Sequence, residues 1–375
     1  MSLPAASPSS PTIALVISSL GAGGAERVLT GMANHWADTG WTVHLFTLSG
    51  TEIPIFYPLR PEVRLHPLDL LRSSANLWQG LTNNLRRLTR LRRAIRSVAP
   101  DVVIAFTDQT NILTLAATRG LSYPIIVSER IYPGILPLSR VWSALRSLLY
   151  PKAFAVVNQT RRGHLWFSPA VQSRGRVIPN HVETYPASPS LYAAPTIVGT
   201  GRLTAQKDFP TLIRAFAQIH PKHPEWRLVI WGEGEDRAAL ESLVDELRLR
   251  HVASLPGLSP HPGEWMNGAG IFVLSSKAEG FPNVLLEAMR SGLPVISTDC
   301  PAGPDELLQD GHTGLLVPVN DPQALANAID RMIRDEALRT TCAKNAAITA
   351  AAYTPDKIMA AWSDLVHDAI GTRQR

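Results

Sequence analysis

The chain has 375 residues, of which 45% are hydrophobic, enough apolar mass for two domains with a core each. No apolar run reaches the roughly 18–20 residues of a membrane-spanning helix, and the opening MSLPAASPSSP lacks the basic start and apolar middle of a signal peptide. A secreted or bilayer-spanning protein is therefore not expected, and the expected location is the cytoplasm. The net charge of +5 conceals a split: residues 1–190 carry 19 Lys and Arg against 9 Asp and Glu, whereas residues 191–375 carry 17 against 22. A basic half suits nucleic acid, an anionic membrane surface or a phosphate-bearing substrate, and composition does not choose among them. The two cysteines, Cys300 and Cys342, lack any CxxC or Cys/His ligand spacing and read as reduced packing residues.

In chain order, TIALVIS (12–18) is a buried-strand candidate that runs into GAGGAE, followed by helical spacing in RVLTGMANHWADTG and a strand-like TVHLFTL. This βαβ opening resembles a dinucleotide fingerprint, but Glu26 stands where a third glycine is needed and is expected to crowd helix against strand. Small residues before a helix start still let backbone N–H groups approach an anion, which makes Gly23 and Gly24 candidates for ligand contact.

From Arg72 to Pro100 there are seven arginines and no acidic residue. At 100° per residue Leu81, Leu85, Leu88, Leu91, Ile95 and Val98 share one face, Arg86, Arg87, Arg90, Arg93 and Arg96 share the other, and Arg92 intrudes on the apolar side. Such a helix suits an anionic membrane surface or phosphate groups, or simply clads the sheet with a solvated basic face. DVVIAF (101–106), PIIVSE (124–129) and AFAVVN (153–158) continue the series of short buried strands, the pattern of a parallel sheet covered on both faces. Between the last two, PLSRVWSALRSLLYPK (137–152) offers Trp142, Tyr150, Arg140 and Arg146, a mixture found at headgroup depth.

PNHVETYPASPSLYAAP (179–195) is rich in Pro and Ser, lacks periodicity and reads as a linker. The alternation then restarts with TIVGTGRL, RLVIWGEG, IFVLSS, PVIST and GLLVP, again a doubly wound domain. The expected organisation is an N-terminal domain over 1–185, a C-terminal domain over 195–355, and a helix over 356–375 packing back on the first domain, the two halves facing each other across a ligand cleft.

Two motifs of the second half carry chemistry. Arg202 and Lys207 follow its first strand directly, so both should emerge at the strand's carboxyl end, where a pair of cations suits a diphosphate. In EGFPNVLLEAMRSG, a strand precedes Glu279, Pro282 and Asn283 favour a helix start, and Gly292 ends the helix. The N–H groups near Phe281 to Val284 would then favour a phosphate, while Glu279 and Glu287 would accept hydrogen bonds from hydroxyl groups. Paired acid/base chemistry by the two glutamates is the rival functional reading.

Together GTGRLTAQKDFPTLIRAF, WGEGEDRAALE, EGFPNVLLEAMRSGLPVIST and GPDELLQDGHTGLLVP resemble glycosyltransferase family 4, retaining nucleotide-sugar transferases of the GT-B fold with two Rossmann-like domains. SSLGAGGAERVL is similar to that family's amino-terminal loop. The resemblance implies that Arg202 and Lys207 bind the donor diphosphate, that Glu279 contacts the transferred sugar and that Glu287 bonds the ribose. It also implies that the backbone of Gly280, Phe281, Pro282 and Asn283 reaches sugar and phosphate, with Gly23 and Gly24 closing from the first domain. UDP is the nucleotide expected, with no metal or other cofactor, since the chain contains no Asp-x-Asp. Where many relatives carry a histidine after the fourth strand, this chain reads SERIYP, with Arg130, which cannot act as a base near neutral pH but can hold a phosphate or sugar hydroxyl.

In character the basic helix resembles that of bacterial transferases acting on undecaprenyl-diphosphate-linked oligosaccharides, which makes Arg86, Arg87, Arg90 and Arg93 candidates for acceptor or membrane contact. A peripheral enzyme on the inner face of the plasma membrane is expected. The alternatives are a soluble acceptor or a GDP-mannose donor within the same family. A nicotinamide-dependent oxidoreductase is opposed by the broken glycine loop. A nucleic-acid-binding protein would leave Glu279, Glu287, Arg202 and Lys207 without a task.

Overall fold

The computed structural model describes residues 10–71, 77–135, 137–183 and 195–373, with side chains described from residue 83 onward in the segment that begins at 77. The first nine residues, residues 184–194 of the linker stretch and the side chain of Leu81 lie outside the described residues. The chain forms two compact units, one ending at Pro179 and resuming at Ile358, the other running from Asn180 to Lys357.

The first unit is built on strands β1 (Thr12–Ile17), β2 (Thr42–Thr47), β3 (Arg64–Pro67), β4 (Val102–Phe106), β5 (Ile125–Ser128), β6 (Ala155–Asn158) and β7 (Gly175–Val177). They pair in the order β3-β2-β1-β4-β5-β6-β7, every pair parallel, with Thr12 opposite Thr42 and Ile13 opposite Val102 setting the central register. The order reverses at β1, the mark of a doubly wound sheet. Helices α1 (Gly24–Asp38), α2 (Leu77–Val98), α3 (Asp108–Ala117), α4 (Arg140–Leu149), α5 (Arg161–Leu165) and α6 (Pro169–Gln172) supply its crossovers and flanks. Because both faces are covered, β1, β4 and β5 are apolar without alternation, and Ile13 to Ile17 are fully buried.

The second unit repeats the plan with six strands, β8 (Thr196–Thr200), β9 (Arg227–Trp231), β10 (Ala253–Gly257), β11 (Ile271–Leu274), β12 (Val295–Thr298) and β13 (Leu315–Val317), ordered β10-β9-β8-β11-β12-β13 and all parallel. Its helices are α7 (Phe209–Ile219), α8 (Arg237–Glu246), α9 (Asn283–Arg290), α10 (Pro304–Leu307), α11 (Pro322–Arg334) and α12 (Glu336–Ala350). The order reverses at β8, so the loops after β8 and β11 emerge side by side at the carboxyl edge.

The final helix, α13 (Pro355–Arg373), joins the core of the first unit from Ile358 on. Trp362, Met359, Leu365 and Val366 pack with Trp36 of α1 and Phe106 of β4, and the Trp36 indole donates to Ser363 Oγ at 3.0 Å. Arg373 reaches the Pro100 carbonyl at 3.2 Å and lies 5.2 Å from the Tyr123 ring centre, fixing the helix end. Trp362→Ala should therefore lower the unfolding free energy of the first unit by about 3–5 kcal/mol, read as an earlier urea midpoint.

Candidate active site

Two loops of the second unit form the site. The first leaves β8 at Gly201 and turns through Arg202, Leu203 and Thr204 to Lys207, held by Lys207 N–H donating to Thr204 O at 3.0 Å. Its shape depends on the adjacent WGEG turn after β9. Gly201 N–H donates to Trp231 O at 3.0 Å and Leu203 N–H to Glu233 O at 2.9 Å. This approach is so close that a Cβ on Gly232 would lie 1.9 Å from Gly201 O, and one on Gly234 would lie 2.3 Å from Leu203 O. Gly201 is bare for a related reason: the stem of Lys207 passes over it, its Cε 3.2 Å from where a Cβ would stand. Only glycine allows that packing at φ +142 for Gly232 and +153 for Gly201.

The second loop leaves β11 through Ser275 and Ser276 to Glu279. It is laced to the first by Ser275 Oγ to Lys207 O at 2.8 Å, Gln206 Nε2 to Ala278 O at 2.7 Å and Lys277 N–H to Gln206 O at 2.8 Å. Where they meet, Lys207 Nζ and Glu279 Oε1 form an ion pair at 2.6 Å, and Ser276 Oγ donates to the same oxygen at 2.6 Å. Glu279 is 5% exposed, so this is a nearly dry carboxylate whose charge is compensated by an ammonium and a hydroxyl. Both contacts converge on Oε1; Oε2 takes no hydrogen bond among the described residues.

After Glu279 the chain turns through half-buried Gly280 and buried Phe281 and Pro282, and Pro282 caps α9. Gly303 at φ +128 allows this turn: a Cβ there would lie 2.7 Å from Pro282 Cδ. Asn283 starts the helix with its side chain engaged, Oδ1 accepting from Asn180 Nδ2 at 2.6 Å. Glu287 is buried in the second turn of α9. Arg202 is exposed on the first loop. The structure thus brings Lys207 and Glu279 into contact on neighbouring loops that also carry Arg202 and the Gly280–Asn283 turn. Gly201, Gly232, Ser276 and Gly303 were given no role from sequence; their signals were glycines beside the cations and a Gly-Pro helix start.

In the first unit, Gly23 caps α1 and Gly24 begins it, exposed. Glu26 does not crowd the strand as expected: its carboxylate folds back over Gly23, where a Cβ would lie 2.1 Å from Oε2, so an acid sits at the positive end of the helix. Arg130 is half-buried with its guanidinium 4.6 Å from the Phe106 ring centre; burial pulls its pKa down to about 9, partly opposed by the Glu26 charge. At neutral pH it stays protonated. Its neighbour Glu129 is 3% exposed and accepts from the Tyr150 hydroxyl, which itself accepts from Asn111 Nδ2 at 3.2 Å. On α2, Arg87 is half-buried and donates to Leu70 O at 2.9 Å, and Arg92, the intruder on the apolar face, reaches the carbonyls of Ala117 and Arg119 at 2.8 Å each. Arg86 is half-buried and Arg90 and Arg93 are exposed; Thr89, Arg92, Arg93, Arg96 and Ser97 line an open pocket of about 460 Å³.

Two family models match the chain, "Glycosyl transferases group 1" over residues 188–349 and "Glycosyl transferase 4-like domain" over residues 23–181. An alpha-1,4-N-acetyl-D-galactosaminyltransferase of Campylobacter jejuni, named for a diNAcBac-PP-undecaprenol-linked substrate, is 28% identical over 94% of this chain and 98% of its own length. The chain is a glycosyltransferase. The transferase is also 32% identical, over 82% of its length, to an exopolysaccharide phosphotransferase of Streptomyces coelicolor, and spans about a third of that longer protein. Its fold is GT-B: HepE of Anabaena, solved with UDP-glucose, superposes with a TM-score of 0.76 over 96% of the transferase and 100% of HepE at 20% identity.

Gly232→Ala should cost the transferase roughly 2–3 kcal/mol of stability and displace the Arg202–Lys207 loop. Gly311→Ala, at a positive φ with nothing within 4 Å, should cost only about 1 kcal/mol. Urea unfolding with nucleotide-binding titrations of both variants checks the contrast, binding weakening in the first alone. A second expectation concerns Glu129, whose carboxyl burial pushes up to about 7 from an ordinary 4.5. A raised acid pKa stabilises the folded protein fully below about pH 4.5 and progressively less as pH rises through 7. Between about pH 5 and pH 8 the wild type should lose up to about 3 kcal/mol that Glu129→Gln, still an acceptor for Tyr150, does not lose. Melting temperatures across that range decide it.

Proposed function

We propose that this glycosyltransferase is a retaining enzyme that moves a hexosyl or N-acetylhexosaminyl group from a UDP-sugar to a saccharide carried on a polyprenyl diphosphate. It would work in bacterial glycan or polysaccharide assembly, held peripherally at the anionic inner membrane face. The observation that carries the reading is the Lys207–Glu279 pair at 2.6 Å, on loops that also carry Arg202 and the start of α9. Breaking a glycosyl–phosphate bond leaves negative charge on the departing diphosphate, which must be stabilised in the transition state. Arg202, Lys207 and the first-turn N–H groups of α9 supply that stabilisation. Glu279, with Oε1 committed to Lys207 and Ser276, offers Oε2 to a hydroxyl of the transferred sugar, and Glu287 serves the ribose.

The UDP donor is supported by HepE, solved with UDP-glucose, and the lipid-borne acceptor by the substrate named for the Campylobacter relative. Among the described residues no helix is long and apolar enough to cross a membrane. Arg130, protonated at neutral pH, holds a phosphate or hydroxyl in this scheme and takes no proton.

Arg202→Ala, an exposed change, should lower kcat on the order of 10²–10³-fold with the melting temperature unchanged. UDP should raise the melting temperature of the wild type and NADH should not. Wild-type turnover in the variant removes Arg202 from the chemistry, and a shift with NADH alone replaces the transferase reading with an oxidoreductase.

A further inference from the structure

The first unit carries an apolar surface that the site does not use. On α4, Val141, Leu145 and Leu148 are 69%, 36% and 58% exposed, and their i, i+4, i+7 spacing puts them on one stripe. Of the four residues expected at headgroup depth, Arg140 is exposed, Trp142 is half-buried, and Arg146 and Tyr150 are buried by the phase of the helix. A second group of exposed apolar residues lies at the end of the neighbouring α5. The Arg146 guanidinium lies 4.7 Å from the Trp166 ring centre and 5.7 Å from that of Phe167, joining α4 to the end of α5. Leu165 and Trp166, 55% and 40% exposed, add apolar surface there. Five apolar side chains, one of them an indole, thus stand in solvent on two linked elements.

The charge around them identifies the occupant. Arg140, Lys152, Arg161 and Arg162 are exposed beside the two elements, and between Arg130 and Val182 the chain contains no Asp or Glu. A protein partner that buries leucines and valine does not require the flanks to be of one sign, whereas an anionic lipid surface does: apolar groups enter at headgroup depth, the indole sits at the interface, and cations meet phosphates. We infer that the α4 stripe with Leu165 and Trp166 is the element by which this protein inserts into an anionic bilayer surface. It places the insertion on α4 and α5 rather than on the basic helix α2. The inference rests on the membrane part of the proposed function and assigns its location.

Flotation with phosphatidylcholine–phosphatidylglycerol vesicles at physiological salt, compared with phosphatidylcholine alone, tests it. The wild type should float with the anionic vesicles, and Leu145→Gln/Leu148→Gln, both at exposed positions, should lower the partition coefficient about tenfold. Val141→Ser should give a smaller loss in the same direction, and transfer to a water-soluble acceptor analogue should be unchanged in both. If the leucine variant floats like the wild type while Arg86→Glu/Arg90→Glu is released, the docking element is α2 and the inference falls. It falls equally if the wild type is a dimer that the leucine variant turns into a monomer without change in flotation, which gives the face to a second copy. A wild type that stays unbound yet transfers to a detergent-solubilised lipid acceptor overturns the insertion and leaves the function standing; one that floats but transfers nothing overturns the function and leaves the insertion.

Discussion

Lys207 and Glu279 lie 72 positions apart and meet at 2.6 Å in a setting where Glu279 is almost dry, so each needs the other to be tolerated there. A lone buried carboxylate would demand a proton, and a lone ammonium would swing into water. Their meeting is possible because β8 and β11 are hydrogen-bonded neighbours at the reversal of the second sheet, with Ile271 opposite Ile197. Bonds from Ser275 and Gln206, and from Thr298 Oγ1 to Ser276 O at 2.5 Å, hold the loops to that register. The glycines follow from the same constraint: Gly201, Gly232 and Gly303 mark places where a lysine stem, backbone or a proline ring must come within a side chain's width.

The first unit treats charge differently. Arg130 and Arg146 rest on aromatic rings, 4.6 Å from the Phe106 centre and 4.7 Å from that of Trp166, and Glu129 is shielded by Tyr150 and raised toward neutrality by burial. Two arginines of the basic helix are spent on carbonyl groups, Arg87 on Leu70 and Arg92 on Ala117 and Arg119. The excess of 19 basic over 9 acidic residues in the first 190 therefore overstates the cations offered to a partner. Arg90, Arg93 and Arg96 of α2 and Arg140 of α4 stay exposed, as do Arg60, Arg64, Arg161, Arg162, Arg174 and Arg176 elsewhere in the unit.

The central strands were legible because strands buried on both faces are written as unbroken β-branched runs, as in TIALVI and VVIAF. The edge and outer strands β3, β7 and β10 escaped because four residues of RLHP, three of GRV and five of ASLPG carry no such run. Glu279 and Lys207 were legible as chemistry since both stand where strands end, but their contact was not, because it depends on which strands are neighbours. The role of Gly232 was hidden for the same reason: its partner is the Gly201 carbonyl, 31 positions away. On α4, residue types suggested an interfacial mixture while the helical phase decided which residues met water, and the phase put Val141, Leu145 and Leu148 outward and buried Tyr150.

An ammonium already bound to a carboxylate at 2.6 Å presents a weaker field to a third group than a free one, so the charge of Lys207 is partly compensated. Arg202 has the opposite character: its planar guanidinium is exposed and screened by solvent. In the proposed reaction the two are complementary. A donor lying over the loop would exclude water from Arg202 and strengthen its interaction, while a sugar hydroxyl drawn to Glu279 Oε2 would take up part of the carboxylate's charge and release more of Lys207 toward the phosphate. The cations would then act most strongly when the donor's sugar is seated, which ties stabilisation of the leaving group to recognition of the sugar through a single buried carboxylate.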